Sequence, residues 1–290
     1  MDIIHFQDPK EFQGHVLNKL VQHESENNLL LGILANLITD EYKGPKPYLA
    51  VFQDAGEIRT AALCTPPWPA LISYENPPPE RTVLKAILAD MQEKLQDDFI
   101  GLTGNKRFVS CLVADWEEET GKQAVLAMSM QIYRLQEVTP VEGVSGSMRP
   151  AQKEDQELLE NWFAGFHVEA LQEEPDLKRI RKLLKAYLSA DPKVRGLMTW
   201  EVEGQPVSMA GYAGPTPNGI RIGTVYTPPE QREKGYASAL TARISQHLLD
   251  LGFGFCFLFT DLLNPTSNHI YRQIGYRPVC EVDRYHFAEE

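Results

Sequence analysis

Residues 232–237, which read R-E-K-G-Y-A, stand between a strand pattern and a helix pattern. The apolar run over 220–227 predicts the strand, and the apolar stripe from Ala237 to Leu251 predicts the helix. A strand, a short loop with Gly235 and a helix N-terminus make a site for phosphate, because backbone N–H groups point into the loop and the helix dipole favours negative charge. The chain is therefore predicted to bind a phosphorylated ligand here.

This loop is not one of the two common nucleotide-binding types. The chain contains neither G-x-x-x-x-G-K-[ST] nor G-x-G-x-x-G after a strand. Its own pattern, R-x-x-G-x-A, is short. A plain alternative therefore stays open, in which Gly235 only permits a turn while Arg232 and Lys234 are solvated.

Composition bounds the answer. The length of 290 residues predicts about two domains. The net charge of −12 argues against non-specific binding of nucleic acid, which requires a surplus of Lys and Arg. The four cysteines form no C-x-x-C pair and no zinc spacing, so no metal is expected. The start lacks a signal-peptide pattern, and no apolar stretch approaches the roughly 18 residues that span a bilayer. These features predict a soluble, cytoplasmic protein with no membrane partner.

The second half has a clear order of elements. Residues 142–147, E-G-V-S-G-S, are small and polar and are interpreted as a linker that divides the chain almost in half. After it, the periodicity predicts the order α-α-β-β-β-α-β-α-β. The predicted helices cover 155–172, 177–188, the segment after Gly235 and 265–273, and the predicted strands cover 196–202, 207–212, 220–227, 253–259 and 276–287.

The first half repeats much of this order. Its predicted helix covers 83–95, and its predicted strands cover 48–52, 58–64, 70–74, 108–113 and 127–135. At the position of the Gly235 loop stands the segment 75–82, which has three prolines and no glycine. Proline supplies no backbone N–H, so this segment is not expected to wrap a pyrophosphate. Two interpretations remain: diverged copies of one domain, or an unrelated α/β domain with a similar order of elements.

The second half resembles the GCN5-related N-acetyltransferase (GNAT) superfamily. Segment 225–237 is similar to the family's fourth strand and its [QR]-x-x-G-x-[GA] loop. Segment 264–277, N-P-T-S-N-H-I-Y-R-Q-I-G-Y-R, is similar to the stretch N-x-x-[SA]-x-x-x-Y-x-x-x-G-[FY] that follows the fifth strand. The terminal residues 283–287 are similar to the last strand of many members. For the first half the likeness rests on the order of elements alone.

The resemblance implies the fold class and the domains. It implies an α/β protein (an α+β mixed sheet) of two tandem acyl-CoA N-acyltransferase-like domains, with mostly antiparallel mixed sheets flanked by helices. Residues 1–140 would form a degenerate copy that shapes the substrate cleft or a subunit interface. Residues 147–290 would form the catalytic domain. A tandem plan with a degenerate first copy occurs in this superfamily.

The resemblance also implies acetyl-CoA as the cofactor. The main-chain N–H groups of the loop would wrap its pyrophosphate, Gly235 allowing the close approach. The strand end would offer backbone groups to the acetyl carbonyl and the pantetheine arm, with the Val225 amide as a candidate oxyanion donor. The implied cofactor-binding residues are Val225, Tyr226, Thr227, Arg232, Glu233, Lys234, Gly235, Tyr236, Ala237, Ser238, Asn264, Asn268 and Tyr271.

The helix over 265–273 carries the candidate catalytic residue. Tyr271 stands three residues after Asn268, so the two share a helix face, and its phenol would protonate the departing thiolate. The alternative is a buried aromatic of the core. Asn264 and Asn268 would bond the pantetheine amides, although Asn264 equally well caps the helix ahead of Pro265.

No general base can be singled out. The candidates are Glu201, His167, Glu169 and Asp261, whereas His269 is expected to face away from Asn268 and Tyr271. Water-mediated deprotonation with good positioning is the alternative.

The predicted function is direct transfer of an acetyl group from acetyl-CoA to the amine of a small molecule or peptide. A non-catalytic acyl-CoA-binding sensor or scaffold is the alternative from another class. Transfer of a longer acyl group, or transfer to an alcohol or thiol, is a further one. The acceptor cannot be read from the sequence, and a homodimer is left open.

Overall fold

The computed structural model describes residues 1–39 and 44–288, which form two compact units. Unit 1 contains residues 1–132 together with 279–288, and unit 2 contains residues 133–278. The sequence-based boundaries, 1–140 and 147–290, place the last strand in the second domain, whereas its contacts group it with unit 1. Each unit is a mixed sheet flanked by helices, as the predicted fold class requires.

Unit 1 follows an α/β order along the chain. The elements are β1 (Asp2–His5), α1 (Pro9–Val21), α2 (Asn28–Ile38), β2 (Tyr48–Asp54), β3 (Glu57–Cys64), β4 (Ala70–Ile72), α3 (Arg81–Leu95), β5 (Gly101–Asn105), α4 (Lys106–Thr120), β6 (Ala124–Leu135) and the greater part of β12 (Arg277–Phe287). The sheet runs β1-β2-β3-β4-β5-β12, antiparallel except for the parallel pair β4–β5. Strand β6 begins in this unit and continues past the boundary at residue 132.

Helix α4 corrects one prediction, because the sequence was expected to form a strand over 108–113. The Asn105 side chain caps the helix by accepting hydrogen bonds from the N–H groups of Arg107 and Phe108, at 3.2 and 3.4 Å. Phe108, Leu112 and Trp116 are buried at i, i+4 and i+8, which is a helical stripe. The true strand, β5, ends where this cap begins.

Strand β12 is held in unit 1 by backbone pairing and by an aromatic stack. It pairs antiparallel with β5 from Val282, opposite Asn105, to His286, opposite Gly101. The Phe287 ring stacks on Trp116 with a centroid distance of 3.9 Å and an interplanar angle of 10°. These contacts explain why the last strand groups with the first part of the chain.

Unit 2 contains the predicted α-α-β-β-β-α-β-α order, preceded by one further strand. The elements are β7 (Ser147–Pro150), α5 (Gln156–Phe166), α6 (Leu177–Leu188), β8 (Arg195–Val202), β9 (Gln205–Ala213), β10 (Gly219–Tyr226), α7 (Tyr236–Asp250), β11 (Phe255–Asp261) and α8 (Pro265–Ile274). The further strand is β7, which begins at the last residue of the expected linker. The sheet order is β7-β8-β9-β10-β11, antiparallel except for the parallel pair β10–β11.

Both faces of the unit 2 sheet are covered by helices. On one face, Ile220 and Ile222 of β10 pack in a cluster with α7 and α8. On the other face, Leu197 and Met209 pack in a cluster with α5 and α6. Helix α5 continues into a π-helical turn over His167–Leu171, which the sequence analysis predicted as plain helix. The sheet thus holds β10 firmly while its C-terminal end leads into the loop of interest.

Candidate functional site

Strands β10 and β11 separate at the point where the loop approaches. Their parallel register joins Gly219, Ile220 and Arg221 to Phe255, Cys256 and Phe257 and goes no further. Strand β10 continues to Tyr226 and β11 to Asp261. Residues 222–226 therefore have no ladder partner on β11. An extended ligand with amide groups can pair with such an edge as an added strand does.

A bulge bends β10 inside this unpaired stretch. The register with β9 shifts between Gly223 and Tyr226, and Thr224 takes a left-handed φ of 52°. A bulge of this kind twists its strand and redirects the residues after it. The Ser208 hydroxyl then ties down the strand end, at 3.1 Å from the Tyr226 carbonyl oxygen and 2.8 Å from the Thr227 hydroxyl.

The loop after β10 presents free backbone donors. Glu233 and Gly235 have φ values of 63° and 79°, and Gly235 is the N-cap of α7 without any side-chain cap. Within the described part of the chain, the backbone N–H groups of residues 233–238 donate no hydrogen bond to any protein group. Alternation of left-handed and other conformations before a helix N-terminus is the geometry of an anion-binding nest.

Arg232 differs from the residues that follow it. Its N–H donates to the Pro229 carbonyl oxygen at 3.3 Å, so the free run begins at Glu233 rather than at Arg232. Its guanidinium donates to the Thr227 carbonyl oxygen at 2.9 Å and to Glu169 at 2.6 Å. The side chain of Arg232 thus ties the beginning of the loop to its end.

Glu169 completes a small polar group with Tyr226. The Tyr226 hydroxyl donates to Glu169 at 3.1 Å, and the Arg232 guanidinium lies over the Tyr226 ring, 5.9 Å from its centroid. Burial and the Glu169 carboxylate raise the pKa of Tyr226. Lys234 turns to its own loop, where it donates to Gln231 at 2.9 Å and to the Glu230 carbonyl oxygen at 3.3 Å. The Glu169 carboxylate thus accepts hydrogen bonds from both Tyr226 and Arg232.

The two asparagines have structural partners. The Asn264 side chain caps α8 by accepting from the Ser267 N–H at 3.0 Å, with Pro265 in the first turn. Asn268 donates to the carbonyl oxygens of Asp261 and Asn264 at 2.9 and 2.7 Å, and it accepts from the Tyr133 hydroxyl at 3.0 Å. These bonds fasten α8 to the end of β11, and a role of either side chain toward a ligand stays a prediction.

Tyr271 is buried with its hydroxyl unused. Its side chain is 8% exposed, and its ring meets Tyr276 edge-on at 6.0 Å between centroids. Among the described residues its hydroxyl has no hydrogen-bond partner, whereas the Tyr276 hydroxyl is bonded to Ser245 at 2.8 Å. Burial raises the pKa of Tyr271 to about 12. The phenol therefore carries its proton at neutral pH and has a donor to spare.

The candidate bases are distributed among other interactions. Glu201 binds Arg149 at 2.5 Å. Asp261 accepts from the Leu263 N–H at 2.8 Å. His167 lies 3.7 Å from Glu173, and burial lowers the pKa of its imidazole. His269 is exposed. Within the described residues no three His, Cys, Asp or Glu side chains converge in a way that would hold a metal ion.

Two contributors to this site were missed by sequence reasoning. Ser208 has no signal of its own, since a serine in a strand is commonplace. Tyr133, which bonds Asn268 and receives a hydrogen bond from Arg272 at 3.2 Å, is separated from them by more than a hundred positions in sequence. Only the folded chain brings these groups together.

Comparison with known proteins agrees with this geometry. Residues 156–276 match the sequence model of the Acetyltransferase (GNAT) family. No functionally curated protein matches the chain. The matched segment covers α5 through α8, the part that holds the split strands and the open loop. Residues 156–276 of unit 2 therefore match the GNAT domain of the family that the sequence resembles.

Solved structures with the same fold cover four-fifths of this chain or more. A GCN5-related N-acetyltransferase from Sphaerobacter thermophilus has a TM-score of 0.63 at 14% identity and covers 98% of this chain and 95% of its own. A tandem GNAT protein from the clavulanic acid biosynthesis pathway has a TM-score of 0.61 at 11% identity, covering 99% and 98%. A GCN5-related N-acetyltransferase from Kribbella flavida has a TM-score of 0.58 at 17% identity, covering 80% and 88%. At these identities the likeness shows the fold.

No described helix has the length and apolar composition that a membrane crossing requires.

Proposed function

We propose that this chain is a cytoplasmic, acetyl-CoA-dependent N-acetyltransferase whose reaction takes place in unit 2. The observation that carries the proposal is the run of free backbone N–H groups at 233–238, ahead of α7 and beside a strand that has lost its partner. The family match supports it independently. Bound acetyl-CoA would supply a thioester that is activated toward amines.

The residues of the loop and strand fit such a ligand. The free amides of Glu233, Lys234, Gly235 and Tyr236, with those of Ala237 and Ser238 in the first helical turn, suit a diphosphate. The unpaired edge at Val225 and Thr227 suits the two amides of a pantetheine arm. The Val225 N–H is the proposed donor to the thioester oxygen, a contact worth about 3 kcal/mol of barrier elsewhere.

Tyr271 is the proposed general acid. The amine nitrogen forms a bond to the acetyl carbon while the C–S bond breaks, and the departing sulfur takes the Tyr271 proton. The amine loses its own proton to water, because each carboxylate considered as a base is engaged in other bonds. The tyrosine is reprotonated from solvent. A phenol whose pKa is about 12 is protonated at neutral pH and can donate its proton to the departing thiolate.

Unit 1 has the proposed role of a degenerate copy. At the end of β4 the Tyr74 N–H donates to the Asn27 side chain at 2.7 Å, and the Ser73 N–H donates to the Ala61 carbonyl oxygen at 2.8 Å. Proline occupies positions 77 to 79. Backbone donors at this position are therefore used or missing, and we assign unit 1 a supporting role without a cofactor of its own.

The test measures binding and turnover separately. Calorimetry measures the affinity of the loop for coenzyme A. Release of free thiol from acetyl-CoA in the presence of each amine of a panel measures acetyl transfer. We expect micromolar binding and acetylation of at least one class of amine. Binding without turnover for every amine would favour an acyl-CoA sensor, and longer acyl-CoA donors in the same assay identify transfer of another acyl group. Absence of binding would refute the proposal.

A further inference from the structure

Arg221 lies on the face of the sheet that α5 and α6 cover. It stands in register with Phe257 on β11, so the two side chains share a face. Its neighbours Ile220 and Ile222 point the other way, into the cluster with α7. Tyr187 of α6 is next to Arg221, since each perturbs the pKa of the other.

The guanidinium of Arg221 has no counter-charge. It donates no hydrogen bond to any described residue, and its Nη1 atom is fully enclosed without a partner. Its surroundings are aromatic, with the Phe259 ring centroid 6.0 Å away. Burial lowers the pKa of this side chain, with Tyr187 opposing the shift. A buried cation without a partner destabilises a fold, so its presence suggests that a ligand provides the missing charge.

Open space lies over Gly223, on the face of β10 that also carries Arg221. Gly223 follows Arg221 by two residues on the same strand, and a methyl group placed on it would meet no atom within 4 Å. Its partner on β9 is Gly211, above which the Tyr187 ring lies at 3.1 Å from an added methyl position. This space lies beyond Arg221 and Phe257, the last register pair of β10 with β11, and next to the bulge at Thr224.

We propose that Arg221 binds the carboxylate of the acceptor, which is then a small amine that carries a carboxylate, as an α-amino acid does. This inference rests on the proposed function, because it identifies the substrate class of the same domain. The planar guanidinium matches a carboxylate in two parallel hydrogen bonds. The amine of such a molecule would extend along β10 toward Val225.

A carboxylate fits better than a phosphate. One guanidinium balances one negative charge, whereas a phosphate monoester carries nearly two at neutral pH. Arg195, the other cation near Tyr187, lies 5.7 Å from that ring centroid and already has a partner of its own. The flat rings of Phe259 and Tyr187 also suit a planar group.

The experiment compares each of a set of α-amino acids with its own carboxamide, which keeps the amine and removes the negative charge. For the wild-type protein we expect kcat/KM for at least one amino acid to exceed that of its amide by roughly 10- to 100-fold, the range for a charged hydrogen bond. Arg221→Met should remove that preference and leave the amide unchanged. Arg221→Lys should show a preference between those of the wild type and Arg221→Met, because lysine keeps the positive charge but cannot form two parallel hydrogen bonds.

Arg243→Met is the matched control, since Arg243 is exposed on α7. It should keep the preference. The KM for acetyl-CoA should be the same in all variants. Arg221→Met should unfold at the same temperature as the wild type or higher, because an unpartnered cation is removed; a loss of several degrees would mark a structural role and overturn the inference.

A readout without turnover covers the remaining case. Butyrate at millimolar concentration should raise the unfolding temperature of the wild type and not that of Arg221→Met. Equal shifts, or none, would overturn the inference. Equal acetylation of acids and amides would overturn it too while leaving the transferase function standing. Failure of acetyl-CoA to bind, with the butyrate shift intact, would refute the function and leave the carboxylate site.

Discussion

The Arg232 guanidinium lies 2.6 Å from the Glu169 carboxylate, which joins the loop before α7 to the π-helical turn after α5. Both side chains are more than two-fifths exposed, so the pair contributes at most about 1 kcal/mol to stability. If the loop binds a diphosphate as proposed, that anion would compete with Glu169 for Arg232.

Two substitutions at this pair should act in opposite directions. Glu169→Gln removes a competing negative charge, so we expect the affinity for acetyl-CoA to rise about 2- to 5-fold at low salt. Arg232→Gln should lower it about 3- to 10-fold. Both effects should shrink at 0.5 M salt. Calorimetry at two ionic strengths makes the measurement, with Glu173→Gln as a control for charge. Effects of equal sign would contradict the competition.

Gly235 should be intolerant of proline in the binding assay. Proline fixes φ near −65° and has no N–H, whereas Gly235 has a φ of 79° and lies within the run of free donors. We expect Gly235→Pro to abolish measurable binding of coenzyme A. Gly235→Ala should weaken it, since an added methyl group lies 2.9 Å from Val144.

A matched glycine separates strain from function. Gly252, after α7, has a φ of 102° and open space around an added methyl group. Gly252→Ala should lower stability by about 1 kcal/mol through backbone strain alone. Its affinity for coenzyme A should equal that of the wild type. If it binds as weakly as Gly235→Ala, stability rather than the loop would govern binding.

Tyr271→Phe should reduce turnover more than cofactor affinity. Phenylalanine fills the same space beside Tyr276, and only the unpartnered hydroxyl is lost. We expect kcat to fall about 100-fold, the effect of a general acid, with the KM for acetyl-CoA changed less than about 3-fold. Tyr276→Phe is the control, because it breaks the bond to Ser245 and should reduce stability without affecting kcat to this extent. A wild-type rate in Tyr271→Phe would dismiss the acid role.

The raised pKa of Tyr271 also predicts how stability depends on pH. An unfolded tyrosine titrates near pH 10, and the folded one at about 12. Between these values the unfolded chain has lost the proton that the folded chain keeps, so the stabilisation present below pH 10 is lost as the pH rises to 12. Urea unfolding at pH 9 and pH 11 should show a smaller decrease for Tyr271→Phe than for the wild type. Identical decreases would place the hydroxyl in water.

Sequence periodicity was sufficient for the parts of unit 2 with long, regular patterns. Helix α6 has the predicted bounds, and the strand, loop and helix around Gly235 lie where the apolar stripes put them. These elements are fixed by local pattern. The run around Phe108 failed because a short apolar segment fits a strand and a helix alike, and the decision came from the Asn105 cap and from Trp116, outside the window.

Tertiary pairings were beyond the reach of the sequence. The residue types of segment 279–287 do not predict that β12 pairs with β5 or that Phe287 stacks on Trp116. Arg232 and Glu169 are 63 positions apart in the sequence. From the sequence, Arg221 is indistinguishable from a solvated charge, and only the folded structure shows that side chains of β11 and α6 surround it. Binding residues with a local motif were therefore predictable, and groups that depend on long-range neighbours were not.

Glu201 provides a test of whether the reaction uses a protein base. Its carboxylate is bound to Arg149, whose guanidinium also holds Asp155 at 2.6 and 2.9 Å. The same guanidinium lowers the pKa of Asp155, and its bonds to that carboxylate join β7 to the start of α5. Because the carboxylate is engaged, Glu201→Gln should leave kcat within about 2-fold of the wild type. It should lower the unfolding temperature by a few degrees, since Arg149 loses one of its two carboxylate partners. Asp155→Asn is the paired control, with a loss of stability at least as large, because Asp155 accepts two bonds from Arg149, and no effect on kcat. A hundredfold decrease of kcat in Glu201→Gln alone, in a variant that folds, would make Glu201 the base and replace deprotonation by water.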